Sequence, residues 1–197
     1  NLRRDLDRSG AKVILNKEVT AKLVRDARPD AVVIATGAVP RTLDVPGAGG
    51  KNVVQANDVL LNKVKVGDRV VVVGGRLVGM EVADLLAQRG KRVSIVTLHQ
   101  LGKDGRELDR NIYRTLRDRL IEHGVFIYPD SPVLEIRDNG VYVANNRELL
   151  FLKADTVVMA VGTRLENRLA QELKGVVPEV YCVGDCVEPR DAMEAIR

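Results

Sequence analysis

The chain has 197 residues, 45% of them hydrophobic, 29% charged and 3% aromatic, with 17 glycines and 7 prolines, a composition that excludes disordered, collagen-like and low-complexity chains. Its 31 Lys and Arg stand against 27 Asp and Glu, a net charge of +4 spread over scattered basic residues, so nucleic acid is not an expected partner. No apolar run reaches the ~20 residues that cross a bilayer, no signal segment opens the chain, and Cys182 and Cys186 are too few to staple it, so a cytoplasmic protein with no membrane partner is expected.

LRRDLDRSG (2–10) reads as the closing turns of an amphipathic helix, with Leu2 and Leu6 on one face and Gly10 as terminator. DAMEAIR (191–197) starts a helix that Asp191 is placed to cap. Both ends read as cut, which predicts a piece of a larger polypeptide. KVIL (12–15) and AVVIA (31–35) predict strands on either side of a helix near 20–27. The Pro- and Gly-rich RTLDVPGAGGKNVV (41–54) predicts a linker and a domain boundary.

RVVVVGG (69–75) predicts a strand buried on both faces, running into a helix that Gly90 closes and then a second strand, VSIVT (93–97). Leu108, Ile112, Leu116 and Leu120 stand four apart on a helix over 106–121, ended by Gly124 before the strand VFIY (125–128). From Ser131 to Leu152, PVLEI, VYVA and ELLFL, with turns at Asp138-Asn139-Gly140 and Asn145-Asn146, predict an antiparallel meander. TVVMAVG (156–162) and EVYCVGD (179–185) return to buried strands. The class is α/β, a Rossmann-like doubly wound parallel sheet with an antiparallel β meander.

Asp30-Ala-Val-Val-Ile-Ala-Thr-Gly37 and Asp155-Thr-Val-Val-Met-Ala-Val-Gly162 echo one another: an Asp, a buried strand, then Ala-x-Gly at its carboxyl end. Ligands of open parallel sheets lie beyond the carboxyl ends of strands, which makes Ala35, Thr36, Gly37, Ala160 and Gly162 candidates for the cofactor site or for chain crossings between domains.

Gly74-Gly75-Arg76-Leu77-Val78-Gly79 stands where a G-x-G-x-x-G dinucleotide fingerprint would stand, after a strand and before a helix. In that motif the first glycine permits the tight turn, the middle one lets pyrophosphate approach the helix amino terminus, and the last lets helix pack on strand. The middle position here is Arg76, whose side chain either obstructs the phosphates or pairs with them. At the end of the next strand, where an NAD site offers an acid to the ribose, the chain has Thr97. Lys103 and Arg106 follow it, and these either meet a 2′-phosphate or belong to a solvated loop beside Asp104 and Glu107. Cys182 and Cys186 lack the Cys-x-x-Cys spacing of a disulfide reductase, and His99 and His123 have no partner at metal or triad spacing, so no metal site is expected and no catalytic residue is assigned.

IATGAVPR (34–41), VVVGGRLVGMEVADLLAQRGKRVSIV (71–96), DTVVMAVGT (155–163) and VYCVGDCVEPRDAMEAI (180–196) resemble the carboxyl-terminal FAD/NAD(P)-binding region of the old-yellow-enzyme-like NADH:flavin oxidoreductases, the 2,4-dienoyl-CoA reductase and trimethylamine dehydrogenase group. The resemblance implies that residues 1–48 and 161–197 are two segments of a partial FAD-type domain, with Gly184-Asp185 meeting the flavin ribityl chain. It implies that residues 49–160 are an inserted NAD(P)-binding domain, with Gly74, Gly75 and Gly79 at the pyrophosphate and Glu81 beside it. The implied partners are a nucleotide cofactor and an FMN-barrel portion of the same polypeptide, and the implied chemistry is hydride from NAD(P)H to FAD and electrons through an iron–sulfur cluster to FMN. A different reading is a structural domain that holds a nucleotide such as ADP and transfers no hydride, favoured by Arg76 and Thr97.

Overall fold

The computed structural model describes residues 2–102 and 110–189. In chain order the elements are α1 (Leu2–Arg8), α2 (Ala21–Ala27), β1 (Ala31–Ile34), β2 (Ala38–Pro40), β3 (Val53–Gln55), α3 (Ala56–Leu60), β4 (Arg69–Val73), α4 (Leu77–Gln88) and β5 (Arg92–Val96). There follow α5 (Arg110–Glu122), β6 (Phe126–Tyr128), β7 (Val133–Arg137), β8 (Gly140–Asn145), β9 (Glu148–Lys153), β10 (Thr156–Met159), β11 (Thr163–Leu165), α6 (Arg168–Glu172) and β12 (Glu179–Cys182). They fall into two compact units, one of residues 39–164 and one of residues 1–38 with 165–197.

The larger unit is built on a five-stranded parallel sheet of order β3-β10-β4-β5-β6. The unbroken apolar run of β4 serves two cores because successive side chains point to opposite faces. Val70 and Val72 pack with Met80, Val82, Ala83 and Leu86 of α4 and Leu120 of α5. Val71 and Val73 pack on the other face with Ile136, Val141 and Val143 of the antiparallel β7-β8-β9 meander. The α/β class with its meander is therefore observed, as three layers of helices, parallel sheet and meander.

α4 and α5 are joined by a buried carboxylate. Asp84 is 5% exposed; it pairs with Arg119 at 2.5 Å, accepts from Gln88 Nε2 at 2.8 Å, and has His123 Nδ1 3.6 Å away. Such a pair specifies helix placement more than it adds stability.

Two sequence expectations are corrected. KVIL (12–15) forms no strand; Val13, Ile14 and Leu15 are exposed, because no neighbouring strand of the described residues lies in register to take their backbone groups. The Pro-Gly stretch at 41–54 is not a free linker: Leu43, Val45 and Ala48 pack on the meander-side core, Ile136 N donates to Pro46 O at 2.8 Å, and β3 joins the sheet. The chain passes from one compact unit to the other at 38/39 and 164/165. Leu108 and the 191–197 helix lie outside the described residues.

The smaller unit has a modest core of Val24, Ile34, Ala170, Leu173, Val177 and Cys186. α2 begins at Thr20, whose hydroxyl accepts from Leu23 N, and its sheet is the single parallel pair β1-β12. Val33 and Tyr181, partners in that pairing, are both exposed, so one face of a normally two-sided parallel sheet is bare.

Gly79 sets how closely α4 approaches β4, since a Cβ there would fall inside contact distance of the Gly74 carbonyl. Gly79→Ala should cost about 1–3 kcal/mol, as overpacking against backbone does; a lowered denaturant midpoint at unchanged m-value is the expected result. At the opposite end of the sheet Asp155 accepts from Arg69 N at 2.8 Å and Nε at 3.1 Å, which lowers its pKa to about 2 from an ordinary 3.8. A depressed carboxylate stabilises above its ordinary pKa and stops doing so as pH falls through its folded value. The thermal midpoint should therefore drop between about pH 4 and pH 2, and Asp155→Asn should flatten that part of the profile.

Candidate functional site: the glycine loop at the carboxyl end of the parallel sheet

β4 leaves the sheet at Gly74, whose φ of +117° is open only to glycine without strain, and whose Cβ would fall inside contact distance of the Ala160 carbonyl. The turn is held by the ladder on both sides: Gly74 N donates to Val96 O and Ala160 N to Val73 O, each at 2.8 Å. Gly75 is buried, and a Cβ on it would lie 2.8 Å from Thr97 Cβ. Its carbonyl accepts from Gly102 N at 2.8 Å, tying the segment after β5 back to the loop.

α4 opens at Arg76, in an extended conformation (φ −83°, ψ −176°) that any residue adopts, so an arginine at the middle fingerprint position is unstrained. Met80 N closes the first helical bond on Arg76 O, and no acceptor among the described residues meets the N–H groups of Leu77, Val78 and Gly79. Those donors lie at the positive end of a 12-residue helix, beside a loop in which Gly74 and Gly75 carry no side chain and Arg76 carries one. The residues fit the pyrophosphate of a dinucleotide. The Arg76 guanidinium turns toward Gly162, its Nη1 lying 4.0 Å from where a Gly162 Cβ would be. Glu81 is exposed one turn into α4.

The structure thus gathers Gly74, Gly75, Arg76, Leu77, Val78, Gly79, Thr97, Ala160 and Gly162 at the carboxyl ends of β4, β5 and β10. Thr97 does not offer its side chain outward: it is buried under Gly75, with its N–H bonded to Tyr128 O at 3.0 Å and its carbonyl accepting from Ser131 N at 2.9 Å. Leu98 and His99 are the exposed residues that follow. Lys103 and Arg106 lie outside the described residues. Sequence reasoning missed Gly102, signalled only by its place just beyond the buried Leu101, and missed the approach of Arg76 to Gly162, which carries no local sequence signal.

In the smaller unit, Ala35, Thr36 and Gly37 follow β1, and Thr36 Oγ1 donates to the Glu166 carbonyl while Glu166 N donates to Gly37 O at 3.0 Å. Gly37 has φ +73° and Gly162 φ +86°, with open space at the first, so backbone conformation rather than crowding requires glycine there. The two echoing aspartates differ in role: Asp155 locks β10 to Arg69 of β4, whereas Asp30 is exposed. Gly184 and Asp185 form a short 3-10 turn beyond β12, beside the end of β1, through Val183 N to Ile34 O at 2.9 Å and Cys186 Sγ to Ile34 O at 3.2 Å. Cys182 and Cys186 are free thiols, the second buried in the core. Among the described residues no His, Cys, Asp or Glu group could hold a metal ion, and no helix is long and apolar enough to cross a membrane.

Comparison with known proteins places the chain in a family. A metal reductase of Desulforamulus reducens is 37% identical over 201 residues, covering 88% of this chain and 30% of its own length. A cinnamate reductase of Clostridium sporogenes is 31% identical over 188 residues, covering 95% of this chain and 28% of the relative. A solved 2-naphthoyl-CoA reductase complex superposes with a TM-score of 0.88 at 32% identity, over 98% of this chain and 29% of that one. The chain therefore spans less than a third of the length of each of these three. The family model described as pyridine nucleotide-disulphide oxidoreductase matches residues 3–197, and the chain belongs to that family.

Proposed function

We propose that the chain is the NAD(P)H-binding portion of a flavin-dependent oxidoreductase of the old-yellow-enzyme-like group, with residues 39–164 holding the nicotinamide dinucleotide. The observation that carries the reading is the cradle itself: three N–H groups at the start of α4 that no acceptor among the described residues meets, above a turn in which Gly74 and Gly79 are packed against backbone. The names of the relatives, a cinnamate reductase and a 2-naphthoyl-CoA reductase among them, support a reductase as the longer protein.

When bound, the dinucleotide supplies a hydride for a flavin, and an FMN barrel with an iron–sulfur cluster completes the electron path in the longer polypeptide. The chain's own contribution is binding and orientation. The α4 amides fix the pyrophosphate, and the loop after β5, anchored through Gly102, borders the adenosine side. The Gly184-Asp185 turn and the Ala35-Thr36-Gly37 segment serve the flavin side. A second reading, a domain that holds ADP without hydride transfer, is favoured by Arg76 at the point of closest phosphate approach.

Position 97 carries no carboxylate and Thr97 itself is buried, so the acid that would repel a 2′-phosphate there is missing, and Lys103 and Arg106 follow in the sequence as cations that would attract it. NADPH should bind about ten- to hundred-fold more tightly than NADH, a preference that shrinks as salt rises. Calorimetric titration of the chain with NADPH, NADH and ADP measures it; a preference for NADH would overturn the 2′-phosphate argument, and binding of ADP alone would favour the second reading.

A further inference from the structure

The fingerprint glycine absent from this loop has been replaced by a side chain that the fold seats in a particular place. Arg76 begins α4 in relaxed extended backbone, so its presence asks nothing of the loop's conformation. Its guanidinium extends across the carboxyl edge of the sheet to Gly162, on the other side of the Gly74 turn, with Nη1 4.0 Å from the position of a Gly162 Cβ. Gly162 holds φ +86° and presents no side chain, so the planar group lies in the gap that a larger residue would occupy. The cation is exposed, and it stands over the same edge as the unpaired N–H groups of Leu77, Val78 and Gly79.

From this placement we infer that Arg76, seated against Gly162, is the phosphate-positioning residue of the nucleotide site, so that a side-chain cation replaces the close backbone approach a glycine would give. The inference rests on the nucleotide reading above. An arginine presents a planar fork of donors to phosphate oxygens, in a geometry a lysine only partly reproduces. Because the pyrophosphate is common to both pyridine nucleotides, Arg76 acts on NADPH and NADH alike, whereas Lys103 and Arg106 act on the 2′-phosphate alone.

The test is calorimetric titration of the full chain and of Arg76→Met and Arg76→Lys with NADPH and with NADH, at several salt concentrations. Arg76→Met keeps the length of the stem and removes the charge. It should weaken both nucleotides by the same factor, about ten- to hundred-fold, and flatten the dependence of affinity on salt while leaving the NADPH to NADH ratio alone. Arg76→Lys should recover part of the loss. Thermal midpoints of both variants, read alongside, separate a loss of affinity from a loss of fold. Affinity that is unchanged or tighter in Arg76→Met would overturn the inference, the tighter result marking Arg76 as an obstruction, while leaving the nucleotide site intact. Failure of the unsubstituted chain to bind either nucleotide would overturn the nucleotide reading, and this inference with it.

Discussion

The close approach of three backbone segments at the carboxyl end of β4 governs the rest of the larger unit. Gly74 passes beneath the Ala160 carbonyl and Gly79 sits against the Gly74 carbonyl, in each case nearer than any Cβ allows. Both residues are tied to the sheet through their N–H groups, Ala160 N to Val73 O and Gly74 N to Val96 O. The direction in which α4 leaves β4 is therefore fixed by backbone packing alone. From that direction follow the apolar face α4 buries through Met80, Val82, Ala83 and Leu86, and the edge over which its first-turn amides stand. Fold and candidate site are thus one constraint, since the glycines that let helix and strand pack also clear the space in front of the helix.

What was legible in the sequence follows from the same physics. The run Val70-Val71-Val72-Val73 can only be a strand covered on both faces, and the glycines after it can only be a turn into a helix, so the nucleotide-type unit and its meander were readable from period and punctuation. The segment at 41–54 was not readable, because Pro and Gly mark a break in regular structure without saying whether the break packs; Pro46 and Gly47 are pinned to Ile136 by a contact 90 residues away in sequence. KVIL (12–15) has strand composition, but a strand needs a neighbour, and propensity is silent about neighbours. Thr97 shows the limit at the site itself. Its position at the end of β5 was evident, yet its burial under Gly75 depends on the gap left by a glycine in the loop after β4.

The two units differ in how far each satisfies itself. Residues 39–164 enclose two apolar cores around one sheet, whereas the smaller unit rests on a single pair of parallel strands with Val33 and Tyr181 exposed on the bare face. The larger unit is the more self-sufficient of the two. The chain belongs to the pyridine nucleotide-disulphide oxidoreductase family and departs from the dinucleotide fingerprint at Arg76 and Thr97.

The central claim is that the first turn of α4 is where a pyridine nucleotide binds, and amide-resolved NMR of the chain with and without NADPH addresses it directly. The account predicts that the largest shifts fall on the N–H groups of Leu77, Val78 and Gly79, together with Gly162, and that they saturate with the calorimetric affinity. Shifts confined to other surfaces, with the glycine loop unmoved at saturating NADPH, would contradict it.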